Sequence, residues 1–401
     1  MMRYEWKKIF ERRLNVIAML LGYMLIGICV FSYFSQERFY DEKTDSYIEG
    51  IEAIRMEQAR AEAQTDVITE EYVTKLISDI QSHDMDLGSD EAYVEVIRPL
   101  GDIFYFTAKN YTDMRENTID ESALGRLDLT DGARFYEHRM EKITDYLNCD
   151  FSYGNYTEAE KAYWIEKAEN TNIPFRWGDK SVMSNLWELV FVGVYLLFVV
   201  VICTSSVFSA EYETGAAFLL LTTKYGKDKM IWSKIAVSML FVVGYLTGGA
   251  LLAVGSTALI IGLPGADLPV QLWNSVIPYN LTVGQACLGS LAMNLLIGIT
   301  IALVLLYSSA GLRSSLATLV IGAAIIIAPA FFPMSKESGL WNHINYLFPV
   351  RAVNLEDIMG SYVSYTMGNV IIPYVGMVVI VYTVISVVAL ALVRRAFVKA
   401  R

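Results

Sequence analysis

The chain has 401 residues, 54% of them hydrophobic and only 19% charged, which excludes an ordinary soluble domain and matches a multi-span membrane protein. Its formal net charge of −11 is unevenly placed: residues 36–185 hold 33 acids against 16 bases, a net of −17, and the remainder is net +6. The acidity therefore belongs to one polar segment inserted between membrane spans, and nothing in the charge pattern points to a nucleic-acid partner.

Residues 1–13 set Trp6, Ile9 and Phe10 at helical spacing among Arg3, Lys7, Lys8, Arg12 and Arg13, which predicts an amphipathic helix lying in the membrane interface. Six stretches that follow are apolar for about the 20 residues that a crossing helix needs: 14–34, 189–210, 235–261, 283–307, 314–332 and 371–393. The first is too long for a signal-peptide core and no small-residue cleavage site follows it, so it reads as a retained anchor over 14–35. Basic residues mark one side. Beyond the N-terminal cluster they are Lys224, Lys227, Lys229 and Lys234 between spans two and three, Arg313 between four and five, and Arg394, Arg395, Lys399 and Arg401 after six. The loop 262–282 has no Lys or Arg. By the positive-inside rule both termini are cytoplasmic and the acidic insert is extracellular. The fold class expected is an all-α membrane protein with six transmembrane helices.

The insert, taken as 36–185, reads as mostly helical. Residues 45–63 predict a stalk that carries the first span outward, 69–80 a helix with Tyr72, Leu76 and Ile80 on one face, and 92–106, 135–147 and 157–168 three more. Its aromatic residues, among them Phe104, Phe106, Tyr136 and Trp164, suffice for a small core. Cys149 is its only cysteine, so no internal disulfide can staple it. Residues 83–95 place Asp84, Asp86, Asp90 and Glu95 as in a calcium loop, but Gly88 stands at a ligand position and Ser89 where glycine is needed, so a solvated acidic turn is the better reading. The three histidines show no metal-ligand spacing. Asn110, Asn155 and Asn280 begin N-x-T sequons.

The remaining 186–401 holds spans two to six. Within span three, Gly244 and Gly248 form a GxxxG, which predicts close helix packing. The segment 333–369, with Trp341, Tyr346, Phe348, His343 and Arg351, predicts one or two short interfacial helices capping the outer end. No GxxxxGK[ST], HExxH, GxSxG or CxxC occurs, so the chain has no P-loop of its own and no catalytic signature. The spans hold almost no ionisable groups, Glu188 lying at an edge, which argues against an ion-coupled transporter.

Between spans two and three stands FSAEYETGAAFLLLTTKYGKDKMIWSK. Together with the basic interfacial helix carrying Glu5 and Lys7-Lys8, and with both termini inside, it resembles the type-2 permease subunits of ATP-binding-cassette exporters. In that family the second span ends in an acidic residue, followed by Glu, Gly-Thr or Thr-Gly, a short apolar helix, a basic turn and a Lys opening the third span. Glu211, Glu213, Thr214, Gly215, Phe218, Leu219, Lys227 and Lys234 occupy those positions here. The family's Pro and Arg in the basic turn are replaced by Lys224, Tyr225, Gly226 and Lys227. The resemblance covers the six-span frame and not the insert. It implies a coupling helix over about 211–224 that docks on a separate cytoplasmic ATPase, a second permease copy as partner, a pathway lined by spans two and five, and ATP and Mg bound by the ATPase rather than by this chain. The implied function is export of a peptide, drug-like or lipid-like amphiphile across the plasma membrane. The acidic insert would favour a cationic cargo by long-range attraction. The competing reading is a receptor or assembly protein whose insert senses a ligand and whose cytoplasmic loop recruits a partner.

Overall fold

The computed structural model describes residues 1–115, 119–223, 225–353, 359–368 and 370–399. It begins with α1 (Met2–Glu11), which breaks at Arg12, whose backbone is extended, and restarts as the long apolar α2 (Arg13–Gln36). A small hairpin of β1 (Arg38–Asp41) and β2 (Ser46–Glu49) follows. Next come α3 (Ile51–Gln64), β3 (Val67–Ile68), α4 (Glu70–Gln81), α5 (Asp102–Asn110), α6 (Phe135–Asn148), α7 (Glu158–Glu169) and β4 (Phe175–Arg176), with shorter helical turns between them. Four further long helices complete the membrane part: α8 (Ser181–Thr204), α11 (Lys229–Ile260), α12 (Val283–Leu312) and α15 (Tyr374–Lys399). The short α9 (Ser209–Glu213) and α10 (Ala216–Thr222) join α8 to α11, and α13 (Ser315–Ile327) and α14 (Gly339–Tyr346) precede a hairpin of β5 (Ser364–Met367) and β6 (Val370–Pro373).

Five helices among the described residues are long and apolar enough to cross a bilayer, α8 being continued by α9. The chain is thus a multi-pass membrane protein with an all-α membrane part. The fifth predicted span, 314–332, falls short as an α-helix. The α13 segment has 13 residues and passes into a 3-10 turn, Ala328–Phe331, that contains Pro329. Proline has no N–H to donate and its ring disfavours α-geometry before it, and 13 residues rise only about 20 Å against a hydrocarbon core of about 30 Å. The long α8 starts at Ser181, ahead of the span predicted from 189. The sixth predicted span loses its first residues to β6.

Within the insert the helices predicted over 69–80, 135–147 and 157–168 are present. Thr69 and Thr157 cap two of them, and Thr157 forms a capping box with Glu160. The predicted stalk is a correction: 46–49 pairs as a strand, and Gly50, at φ +76°, turns the chain before α3 begins. Only a residue without Cβ takes that backbone readily. The run 92–106 is likewise broken at Gly101, where φ is +60°.

The insert is not a tethered domain. Phe104, Phe135 and Phe175 belong to one continuous buried core with Leu186, Leu197 and Ile297 of the membrane helices. A second core joins Ile143 and Trp164 to Val276 and Tyr362, residues of the outer loops. Buried Arg139 ties these parts by donating to the carbonyls of Ser275 and Ala168 and to the Thr171 hydroxyl. Asn110 is buried and donates to Phe135 O at 2.9 Å, which closes that sequon to a glycan. The predicted interfacial segment contains α14 and β5, whose partner β6 lies just beyond it, and its residues 354–358 and 369 lie outside the described set.

In the GxxxG of α11, a side chain at Gly244 would meet open space, whereas Gly248 and Gly249 lie against Tyr23 and Leu196. The close helix contact therefore falls on 248–249, and Tyr23 confirms it by stacking on Tyr245 at 4.8 Å.

Burial, helped by the nearby Lys109 ammonium, pushes Lys142 down to about 8. The folded insert then holds this proton less tightly than the unfolded chain, so stability is lowest below pH 8 and rises toward the ordinary lysine value. We expect the insert's urea midpoint, followed by limited proteolysis of the full chain, to increase between pH 8 and 9.5. Lys142→Met should flatten that increase.

Candidate functional site

The loop between α8 and α11 is organised by a buried ion cluster. Glu211, in the first turn of α9, accepts from Lys234 Nζ at 2.8 Å and from Lys8 Nζ at 2.7 Å. Lys234 also donates to Glu5 Oε2 at 2.9 Å and to the Val207 carbonyl at 3.0 Å. Two acids and two bases thus close a ring that joins α1, α9 and the second turn of α11. Lys234 is 1% exposed and Glu211 7%, so neither charge is screened by solvent as a surface pair would be. Burial alone would lower the Lys8 pKa, but its bonds to Glu211 and Glu5 outweigh burial and hold it above the ordinary lysine value. Beside the ring, Arg12 donates to the Ser206 hydroxyl and Asn15 Nδ2 to Ile9 O.

Why α1 sits here follows from its sequence. Ile9 is its buried residue, and Trp6 and Phe10, both partly exposed, meet at a tilt with ring centroids 5.4 Å apart. Phe10 also meets Phe241 of α11 edge-on at 6.5 Å. Glu5 and Lys8, three residues apart, occupy the side facing the loop.

The predicted coupling helix over about 211–224 is two helices. Gly215, at φ +73° in the left-handed region, ends the continuation of α8 and starts α10. Lys224 lies outside the described residues. Glu213 does not open a helix of its own; it stands at the end of α9 and reaches the start of α13. Its two carboxylate oxygens accept from the Ser315 N–H at 2.6 Å and the Ser315 hydroxyl at 3.0 Å, the position where a helix presents unpaired donors. Thr214 turns its hydroxyl back to Ala210 O at 2.8 Å.

On α10, Ala217 is buried and Leu220 and Leu221 pack on a core of Phe208, Ile231, Leu306 and Phe397. Phe218 and Leu219 point away, 64% and 74% exposed. After the helix, Lys227 is exposed, whereas Gly226 is buried so tightly that a Cβ would fall 1.7 Å from the Leu220 carbonyl oxygen. The C-terminal helix joins this assembly through Tyr212, which donates to Phe397 O at 3.1 Å, and through the Arg394–Asp228 pair at 2.6 Å.

The predicted residues therefore separate into two groups. Glu211, Lys234 and Ile9 are brought together as structural pins, and Phe218, Leu219 and Lys227 form the accessible surface. Sequence reasoning missed the pairing of Glu5 and Lys8 with Glu211 and Lys234. The acids Glu5 and Glu11 both stand among the basic residues of α1, and nothing in that pattern singles out Glu5 as the partner of a lysine 229 positions away. No group of His, Cys, Asp and Glu suited to hold a metal occurs among the described residues. Comparison with protein-family models, with curated proteins and with solved structures finds no match.

Removing one partner from a buried ion cluster strands the others. We expect Lys234→Met to destabilise the purified protein by about 3 kcal/mol, and the added Glu211→Gln change to restore a large part of that loss. A thermal-unfolding double-mutant cycle measures both, and strictly additive effects would contradict the pairing.

Proposed function

We propose that this chain is the permease subunit of an ATP-driven exporter, powered by a separate cytoplasmic ATPase. The observation that carries the proposal is α10: a short helix at the basic end of the bundle, its inner face packed on the core and Phe218 and Leu219 left exposed. An exposed apolar pair on a rigidly seated helix is suited to a groove on another protein, and Lys227 and Lys229 flank it. On this reading the basic end and both termini are cytoplasmic, the protein sits in the plasma membrane, and α13 with its 3-10 turn completes a sixth, shortened crossing.

The ion ring gives the docking helix something to move. A push on α10 reaches α8 through α9, and reaches α1 and α11 through Glu211 and Lys234. The ATPase binds and hydrolyses ATP with Mg; this chain supplies the transmission and, with a second copy, the pathway. A peptide, drug-like or lipid-like amphiphile is the cargo class, and the acidic insert favours cationic examples.

Substituting both Phe218 and Leu219 by Asp is expected to abolish co-purification of a P-loop ATPase with the tagged full chain, at unchanged expression and thermal midpoint. Wild-type protein that captures a kinase, or no ATPase, would overturn export in favour of a receptor or assembly role.

A further inference from the structure

The side of α1 turned away from the ion ring carries a pattern of its own. Arg3, Trp6, Lys7 and Phe10 line one open hollow of about 440 Å³, and their spacing of three and four residues puts them on one helix face. Lys7 stands about 200° round the helix from Glu5, which faces the ring. All four are exposed, Trp6 by 41% and Phe10 by 43%.

The charge on this face is not neutralised by the protein. Arg3 forms no ion pair among the described residues, and neither does Arg13, the exposed residue that opens α2. Lys7 meets Glu11 at 3.1 Å, but both side chains are more than half exposed, and a pair of that kind binds weakly. Arg3 and Lys7 against Glu11 leave a surplus of one positive charge, before Arg13 adds to it. Directly beyond, Leu14, Ile17 and Leu21 lie exposed along α2, so the hollow sits where the hydrocarbon-facing flank of a crossing helix gives way to the headgroup level. An indole such as that of Trp6 favours this level.

Together these features define the occupant. Phosphate oxygens accept hydrogen bonds from a guanidinium in paired fashion, while the aromatic rings and the leucine-rich flank suit acyl chains. A zwitterionic head would bring its own cation to a place already in positive surplus. A protein partner would have to cover Leu14 and Ile17 within the hydrocarbon layer as well.

We infer that this face of α1 is a binding site for an anionic phospholipid, whose phosphate sits on Arg3 and Lys7 and whose acyl chains run past Trp6 and Phe10 onto the flank of α2. The inference requires a membrane-spanning chain and is independent of the export reading. Glu5 and Lys8 belong to the same ten-residue helix, so lipid and ion ring hold α1 from opposite sides.

The test places the full chain in phosphatidylcholine nanodiscs and titrates in lipid brominated on its acyl chains, as phosphatidylglycerol in one series and phosphatidylcholine in the other. Bromine quenches nearby indoles, and the quenching lost in Trp6→Phe belongs to Trp6. For that part, half-maximal quenching is expected at about a fivefold lower mole fraction of phosphatidylglycerol, the effect of one basic residue near an anionic surface. Arg3→Gln combined with Lys7→Gln should make the two lipids equal at an unchanged thermal midpoint, since both side chains are exposed. Total quenching of the wild-type chain against that double variant gives the same comparison without Trp6→Phe. Equal quenching of Trp6 by the two lipids in the wild type, or a preference that survives the double substitution, would overturn the inference. Trp6 quenched by neither lipid would overturn it too, by showing the face covered by another protein or a second copy of the chain.

Discussion

The basic end of this protein depends on a lysine that cannot reach water. Lys234 sits in the second turn of a 32-residue helix, 1% exposed, and its ammonium is met by two carboxylates and one carbonyl. Withdrawing such a charge from solvent costs several kcal/mol unless the geometry returns it. Apolar residues in place of the whole ring are often as stable, whereas removing one member strands the rest. What the lysine adds is position: α1, α9 and α11 have to meet at one point for all four charges to be satisfied. A greasy contact would tolerate sliding; an ion ring with two members buried does not.

The same logic, inverted, holds the far end. There Arg139 is buried with no carboxylate paired to it among the described residues and instead gathers carbonyls from a membrane loop and from the insert. Burial lowers its pKa, but arginine keeps its proton, so the cost is met by directing several donors at fixed acceptors. Lys180 pairs with Asp102 at 2.6 Å, and Arg176 with Asp267 at 2.7 Å. The insert is therefore one body with the outer loops, and any tilt of α8, which follows it directly, is shared with it.

Much of this was legible in the sequence because lipid imposes few solutions. Long apolar runs have to be helices, and five of the six predicted runs are long enough in the structure. The helices beginning after Thr69 and Thr157 were readable from their caps. Where the reading failed, a local conformational preference overrode a pattern of side chains. Gly50, Gly101 and Gly215 take positive φ and cut three segments that propensity alone would continue, and Pro329 shortens α13. The ion ring was not legible, since Glu5 and Lys234 are 229 positions apart and only tertiary packing makes them neighbours.

The two glycines around α10 decide how stiffly its exposed pair is held. Gly215 supplies a left-handed turn that an L-residue adopts only under strain. Gly226 lies so close to the Leu220 carbonyl that any side chain has to displace backbone. Between them α10 has only seven residues, too few to be stable by propensity. It persists because Ala217, Leu220 and Leu221 are seated on the core and the chain closes tightly at both ends. A helix fixed in that way cannot absorb a force by melting internally without giving up those contacts. Load applied to Phe218 and Leu219 therefore passes to the elements beneath: to α9 across Gly215, and from there through Glu211 to α1 and α11. On the export reading proposed above, the stiffness of this short helix is what would suit it to transmit motion.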